Sequence, residues 1–270
     1  MNKEKEICDL YLDGKSFTEI KVLIGIGQTL ARKILVLNGI AIRGRSASRK
    51  KRKSHGLDVE YFKNIDSKEK AYWLGVIVSD GTIQKDGYKT SLASKDKDLI
   101  EKFKIAIKSE HTISKIEQFD KRTKKTYKRY MIQISSKEFT TNIINLGVTN
   151  RKSYVCEFPN IEEKYYLSFL RGLFDGDGSL GFETENSIRM SFTATKEIIN
   201  HIQIFLEKKH KIKPHPIYVT SENMNVNRTH YFSDTKKILD LLYADSTEES
   251  RLNRKYNIYE KYNKKLNSDI

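Results

Sequence analysis

The chain has 270 residues, enough to bury a substantial core in one large domain or in two to three small ones. Hydrophobic residues make up 38% and charged residues 31%, the balance of a soluble globular protein, and no apolar run approaches a membrane span. Fifty Lys and Arg against 35 Asp and Glu give a net charge of +15 and point to a polyanionic partner, nucleic acid first and an anionic membrane second, while two cysteines, Cys8 and Cys156, are too few for a disulfide framework or a cysteine zinc site.

Taken in chain order, the opening MNKEKEICDL has early acids and no apolar core, so neither a signal nor a transit peptide is expected. Ile7, Leu10 and Tyr11 have helical spacing up to Gly14. Phe17, Ile20 and Leu23 or Ile24 resume it up to a Gly25-Ile26-Gly27 turn, and Leu30, Ile34, Leu35 and Leu37 make a third apolar face. Three short helices with glycines before the last describe a helix-turn-helix over 1–42, although any small three-helix bundle has this periodicity. A third helix would show Gln28, Thr29, Arg32 and Lys33 to solvent, where they suit base edges and phosphates. No acid falls between Glu19 and Asp58. The basic stretch that follows the helices, over 43–56, contains Arg43, Arg45, Arg49, Lys50, Lys51, Arg52 and Lys53 and reads as a linker able to follow the DNA backbone or enter a minor groove.

The remainder contains an internal duplication, which sets the expected halves at 57–155 and 156–270. WLGVIVSDGTI (73–83) matches LRGLFDGDGSL (170–180) without gaps, so Gly75, Asp80 and Gly81 align with Gly172, Asp177 and Gly178. Each copy begins with a capping-box pattern, Asp66 with Glu69 and Asn160 with Glu163. SLASKDKDLIEKF (91–103) lines up with SFTATKEIINHI (191–202), and ISSKEFTTNII (134–144) with SDTKKILDLLY (233–243), so each half reads helix, hairpin, helix, hairpin, helix. The hairpin over 111–137 carries Lys121, Arg122, Lys124, Lys125, Lys128 and Arg129 around its turn. A β-ribbon of this kind can enter a major groove, although basic hairpin tips are often merely solvated. Leu252, Tyr256, Tyr259 and Leu266 form a late helical stripe suited to core packing.

Small residues four apart, Gly75/Ser79 and Gly172/Gly176, leave room for two helices to meet backbone to backbone. Side by side, they would bring Asp80 and Asp177 together at helix ends that already carry partial negative charge, an arrangement that a divalent cation relieves. Hard oxygen ligands suit Mg2+, and paired ions beside a basic surface suit phosphodiester cleavage. One DGDG alone would read as a helix-ending turn, and its recurrence at matching positions favours the metal reading.

LRGLFDGDG, with WLGVIVSDG before it and LNRKY (252–256) after it, resembles the single-chain, two-repeat LAGLIDADG homing endonucleases. The resemblance spans about 57–260. It implies an α+β fold in which two pseudo-symmetric αββαββα repeats form a β saddle on double-stranded DNA, here preceded by the small all-α unit. It implies metal, Mg2+ or Mn2+, at Asp80 and Asp177, with the carbonyls of Ser79 and Gly176 as further ligands. It also places basic catalytic residues by alignment at Lys95 and Lys196 and at Lys137 and Lys236, with Lys237 competing for the last position. Val78 departs from the motif, which often has its first acid there. The expected protein is a monomeric, site-specific double-strand endonuclease, bacterial or phage-encoded and cytoplasmic. A non-cleaving DNA-binding regulator and an RNA maturase acting on intron RNA are the other readings.

Overall fold

The computed structural model describes residues 3–43, 56–120, 123–150, 156–184, 187–215, 217–221, 224–231 and 234–268. It divides into two compact units, Met1–Gly56 and Leu57–Ile270. Arg45, Arg49, Lys50, Lys51, Arg52, Lys53, Lys121 and Arg122 lie outside the described residues. No helix among the described residues is long and apolar enough to cross a membrane.

The first unit holds α1 (Lys3–Leu12), α2 (Phe17–Ile24) and α3 (Gln28–Leu37). Ser16 and Glu19 form a reciprocal capping box at the start of α2. Gly25 ends that helix at φ 79°, a left-handed conformation that favours glycine. The core is Ile7, Cys8, Tyr11, Ile20, Ala31, Ile34 and Leu35. The expected third apolar face is therefore corrected: Leu30 and Leu37 are exposed, and Ala31 takes the buried place. The facing stripe of a ten-residue helix admits only positions i, i+3 and i+4.

In the second unit each half builds one antiparallel sheet. The first half runs α4 (Lys68–Asp80), β1 (Gly81–Ile83), β2 (Thr90–Ser94), α5 (Lys97–Ala106), β3 (Ile113–Asp120), β4 (Lys125–Ile134) and α6 (Lys137–Asn145). The second runs α7 (Tyr166–Asp177), β5 (Ser179–Thr184), β6 (Ser187–Ala194), α8 (Lys196–His210), β7 (Tyr218–Ser221), β8 (Met224–Tyr231) and α9 (Thr235–Tyr243), followed by α10 (Asn253–Ser268). The strand orders are β1-β2-β4-β3 and β5-β6-β8-β7, so the α+β two-repeat architecture is as expected. One hydrophobic core spans both halves, from Trp73, Phe103 and Phe139 to Phe169, Phe192 and Leu239.

The expected capping boxes are not formed. Ser67 caps α4 by accepting from the Lys70 amide at 3.2 Å, which leaves Asp66 to pair with Lys70 and Glu69 to accept from the Tyr61 hydroxyl. Helix α7 is entered through a 3-10 turn, Glu163–Tyr165, and Glu163 instead pairs with Lys209. A tighter entry turn satisfies early amides without a side-chain cap.

α4 is buried from Ala71 to Ser79 and α7 from Ser168 to Asp175, because each lies between its own sheet and the other helix. Their backbones touch. A Cβ at Gly75 would meet the Leu173 nitrogen at 2.7 Å, and one at Gly172 would meet the Tyr72 carbonyl carbon at 2.9 Å and the Val76 nitrogen at 3.0 Å. Neither neighbour can yield, since both are backbone. Gly172→Ala is therefore expected to destabilise the chain by about 3 kcal/mol in urea unfolding, at the upper end of ordinary overpacking. Gly181→Ala, where nothing lies within 4 Å, is the near-neutral control. Equal midpoints for the two variants would refute the close approach.

Candidate nucleic-acid cleavage site

The helix pair carries its acids at its C-terminal ends. Asp80 closes α4 and is half-buried, while Asp177 closes α7 and is exposed. A Cβ at Gly176 would lie 2.6 Å from the Ser79 Cβ and 3.3 Å from Asp80 Oδ2, so the Asp80 carboxylate lies against the backbone beside Asp177. Ser79 turns its hydroxyl inward, donating to the Gly75 and Val76 carbonyls at 3.2 and 3.1 Å. A cavity of about 620 Å³ opens over this end of the pair, lined by Asp80, Gly176, Lys95, Tyr127, Arg129 and Arg254 among others.

Lys95 stands in that cavity because β2 ends at Ser94 and the link to α5 begins there. The pairing registers of the two halves show that it has no lysine counterpart. Thr82 pairs with Ser91 and the matching Ser179 with Ser191, so Lys95 corresponds to Thr195. The strand-to-helix link is shorter in the second half, and Lys196 has moved into the first turn of α8. Thr195 is buried, donates to the Cys156 carbonyl at 2.6 Å and caps α8. Likewise Thr90 pairs with Ile134 and Met190 with Tyr231, which matches Lys137 to Asp234 and not to Lys236. Lys137 Nζ sits 5.4 Å over the Tyr88 ring, at the end of β2 opposite Lys95. Lys236 is held by Asp240 at 2.7 Å, and its neighbour Lys237 is exposed. Of the four expected lysines, only Lys95 lines the Asp80 cavity.

Ile132 and Ile134 anchor β4 in the core, whereas Lys125, Tyr127, Lys128 and Arg129 are all exposed, and Tyr127, Lys128 and Arg129 line the same cavity as Asp80. Lys124 lies in the turn at φ 52°. In the first unit Gln28, Thr29, Arg32 and Lys33 are all exposed along α3, as their spacing suggests. Arg43 folds back: its guanidinium stacks 3.9 Å over Tyr11, donates to the Lys15 carbonyl, and its own amide donates to the Tyr11 hydroxyl at 2.8 Å. It tethers the end of the helical unit, which explains why it does not stand free as a backbone contact.

Four residues around the site escaped sequence reasoning. Asp175, the other acid of DGDG, is buried and accepts from the Tyr72 hydroxyl (3.1 Å), the Tyr243 hydroxyl (3.3 Å) and the Leu252 amide (2.7 Å). It pins the chain after α9 onto α7, whereas the aligned Val78 in α4 is simply core. Arg171 is also buried, donating to the carbonyls of Ser250 (2.8 Å) and Leu242 (2.6 Å) and to Asp245 (2.9 Å). Lys255 buries its ammonium against the end of α7, and Arg254 pairs with Asp96 at the cavity wall. Their signals are distant in sequence: LNRKY lies some way beyond DGDG, and only the fold joins them.

Burial raises the Asp175 carboxyl to about 6, against the opposing pull of Lys255, the Leu252 amide, Tyr72 and Arg171. The folded chain therefore holds this proton more tightly than the unfolded chain, whose carboxyl has the ordinary value of 3.8. The resulting stability is fully present below that value and is lost as pH rises through about 6. Relative to Asp175→Asn, the wild type should lose melting temperature between pH 4 and 6 and hold a constant difference above 7. A difference that is flat throughout would show that Asp175 does not titrate in this window.

Residues 67–145 match the LAGLIDADG-like domain. Curated proteins returned no match. Among solved structures, the homing endonuclease I-WcaI bound to its DNA recognition sequence superposes with a TM-score of 0.53 at 13% identity, covering 82% of this chain and 96% of that one. The N-terminal LAGLIDADG domain of DUF199/WhiA gives 0.45 at 17% identity, over 71% and 90%. I-DmoI in complex with DNA and Mn gives 0.43 at 16% identity, over 70% and 99%. The chain thus carries a LAGLIDADG-like domain at residues 67–145, and its two sheets on a central helix pair share the fold of the homing endonuclease I-WcaI.

Proposed function

We propose that the chain is a site-specific double-stranded DNA endonuclease that works as a monomer with a divalent ion, Mg2+ or Mn2+, at Asp80 and Asp177. The observation that carries this reading is the approach of the two helix ends, which sets the Asp80 carboxylate against Gly176, next to Asp177, beneath an open cavity with basic walls. The donors fit a hard cation: two carboxylates, with the Ser79 and Gly176 carbonyls as further oxygens. Among the described residues no three His, Cys, Asp or Glu side chains cluster, which suits an ion that keeps water and phosphate oxygens as ligands. Such an ion supplies a more acidic bound water and neutralises charge on the phosphate.

The chain's own residues do the rest. Lys95 and Arg254 offer cations to the scissile phosphate at the cavity wall. Arg129, Tyr127 and Lys125 are exposed on β4 and supply groove contacts, with Lys124 at the tip. The first unit acts as a helix-turn-helix, with Gln28, Thr29, Arg32 and Lys33 of α3 reading a neighbouring segment. A second reading, a non-cleaving DNA-binding regulator, is favoured by one observation: Thr195 replaces Lys95 in the second half.

Incubating the protein and Asp177→Asn with Mg2+ and a randomised duplex library, then sequencing cut ends, decides between them. Discrete ends at one long site, lost in EDTA and reduced on the order of a hundredfold or more in Asp177→Asn, are expected. Specific capture of duplexes by both proteins without cuts would establish the second reading. Neither cutting nor capture would remove DNA as the substrate and leave intron RNA.

A further inference from the structure

The C-terminal end of α7 is already met by a cation. Lys255 is 2% exposed, and its Nζ donates to the carbonyls of Gly178 (2.6 Å), Asp175 (3.1 Å) and Phe174. These carbonyls belong to the last turn of the helix and its cap, where intrahelical donors run out and the negative end of the dipole lies. The ammonium also lies in the attractive field of three carboxylates, Asp175, Asp80 and Asp177, with the Arg254 guanidinium as the opposing positive neighbour. It also contacts the Phe174 ring face at 4.6 Å. Burying a lysine is costly unless its charge is matched, and here the match is the convergence of two helix ends and their acids.

We propose that Lys255 is a resident counter-cation of the paired helix ends, a positioning residue that holds the Gly176–Asp177 end of α7 in its metal-ready place before any divalent ion arrives. The proposal rests on the metal reading of Asp80 and Asp177 given above. It adds that this chain assembles the site without the ion, because the charge that the ion would relieve is partly relieved by Lys255. Without the ammonium, the same convergence of negative charge falls on the ion alone.

The test is thermal unfolding of the full chain in EDTA and in Mg2+ or Ca2+, for the wild type, Lys255→Met and Lys255→Arg, with Mn2+ binding followed by electron paramagnetic resonance. The wild type should gain little melting temperature from the ion. Lys255→Met should gain more, by on the order of 5 °C, since the ion now supplies the missing charge. Lys255→Arg, which keeps the charge, should respond like the wild type, and if the methionine variant fails to fold, Lys255→Gln, which removes the charge and keeps a donor for the carbonyls, should show the larger gain in its place. A merely structural lysine would lower the melting temperature equally with and without the ion, so an equal metal response in wild type and Lys255→Met, with Mn2+ bound by both, overturns the role of Lys255 alone. A large metal response in Lys255→Arg overturns it as well. Mn2+ bound by no protein of the set would overturn the metal reading and this inference with it.

Discussion

Everything in the larger unit depends on two helices touching through their backbones. Gly75 and Gly172 allow α4 and α7 to approach until any added carbon would collide with a peptide group. That approach fuses two separate αββαββ halves into one core and fixes the geometry at the helix ends, where Ser79 packs against Gly176 and Asp80 lies beside it. Hydrophobic burial supplies the stability and glycine sets the distance, because a larger residue would keep the apolar contacts while opening the site.

The pairing is pseudo-symmetric in backbone and unequal in charge. The second helix carries buried ionic groups, Arg171 and Asp175, where the first has Leu74 and Val78 in the core. Lys255 closes the end of α7, while the Asp80 side has Lys95 and Arg254 in an open cavity. Buried charges of this sort are poor sources of stability and good sources of specificity, since each demands particular partners. Arg171 and Asp175 are satisfied by carbonyls, hydroxyls and an amide from residues 242–252, which fixes how the chain returns after the second sheet. Duplication provides the frame, and these unmatched residues separate the roles of its halves.

Much of this was legible in the sequence, and the failures have common physical causes. The repeat, the order of elements, the helix contact at Gly75/Ser79 and Gly172/Gly176 and the exposure of Gln28, Thr29, Arg32 and Lys33 all follow from local periodicity and side-chain size. What could not be read was register and long-range pairing. A link shortened between β6 and α8 shifts Lys196 out of step with Lys95, and sequence similarity hides the shift because both segments have a lysine nearby. Leu30 and Leu37 look like core by composition but fall on the wrong side of a short helix. Arg43 looks like a free cation until Tyr11 offers it a ring. Asp175 and Asp177 are two residues apart in one motif, and only burial shows that the first organises the fold while the second faces outward.

The contacts of residues 250–255 also set an order of events during synthesis. The Ser250 carbonyl, the Leu252 amide and the Lys255 ammonium reach back to α7, more than seventy positions earlier in the chain. Domains generally fold as units as they leave the ribosome, N-terminal parts first. The helical unit and the first sheet contain their own contacts, but Arg171, Asp175 and the end of α7 wait for their partners until residues 242–255 have been made. A chain ending before Ser250 would keep the exposed Gln28, Thr29, Arg32 and Lys33 of α3 and would lack the segment that closes the end of α7. Completion of the paired helix ends therefore waits on residues 250–255, and chains that stop short of them lack it.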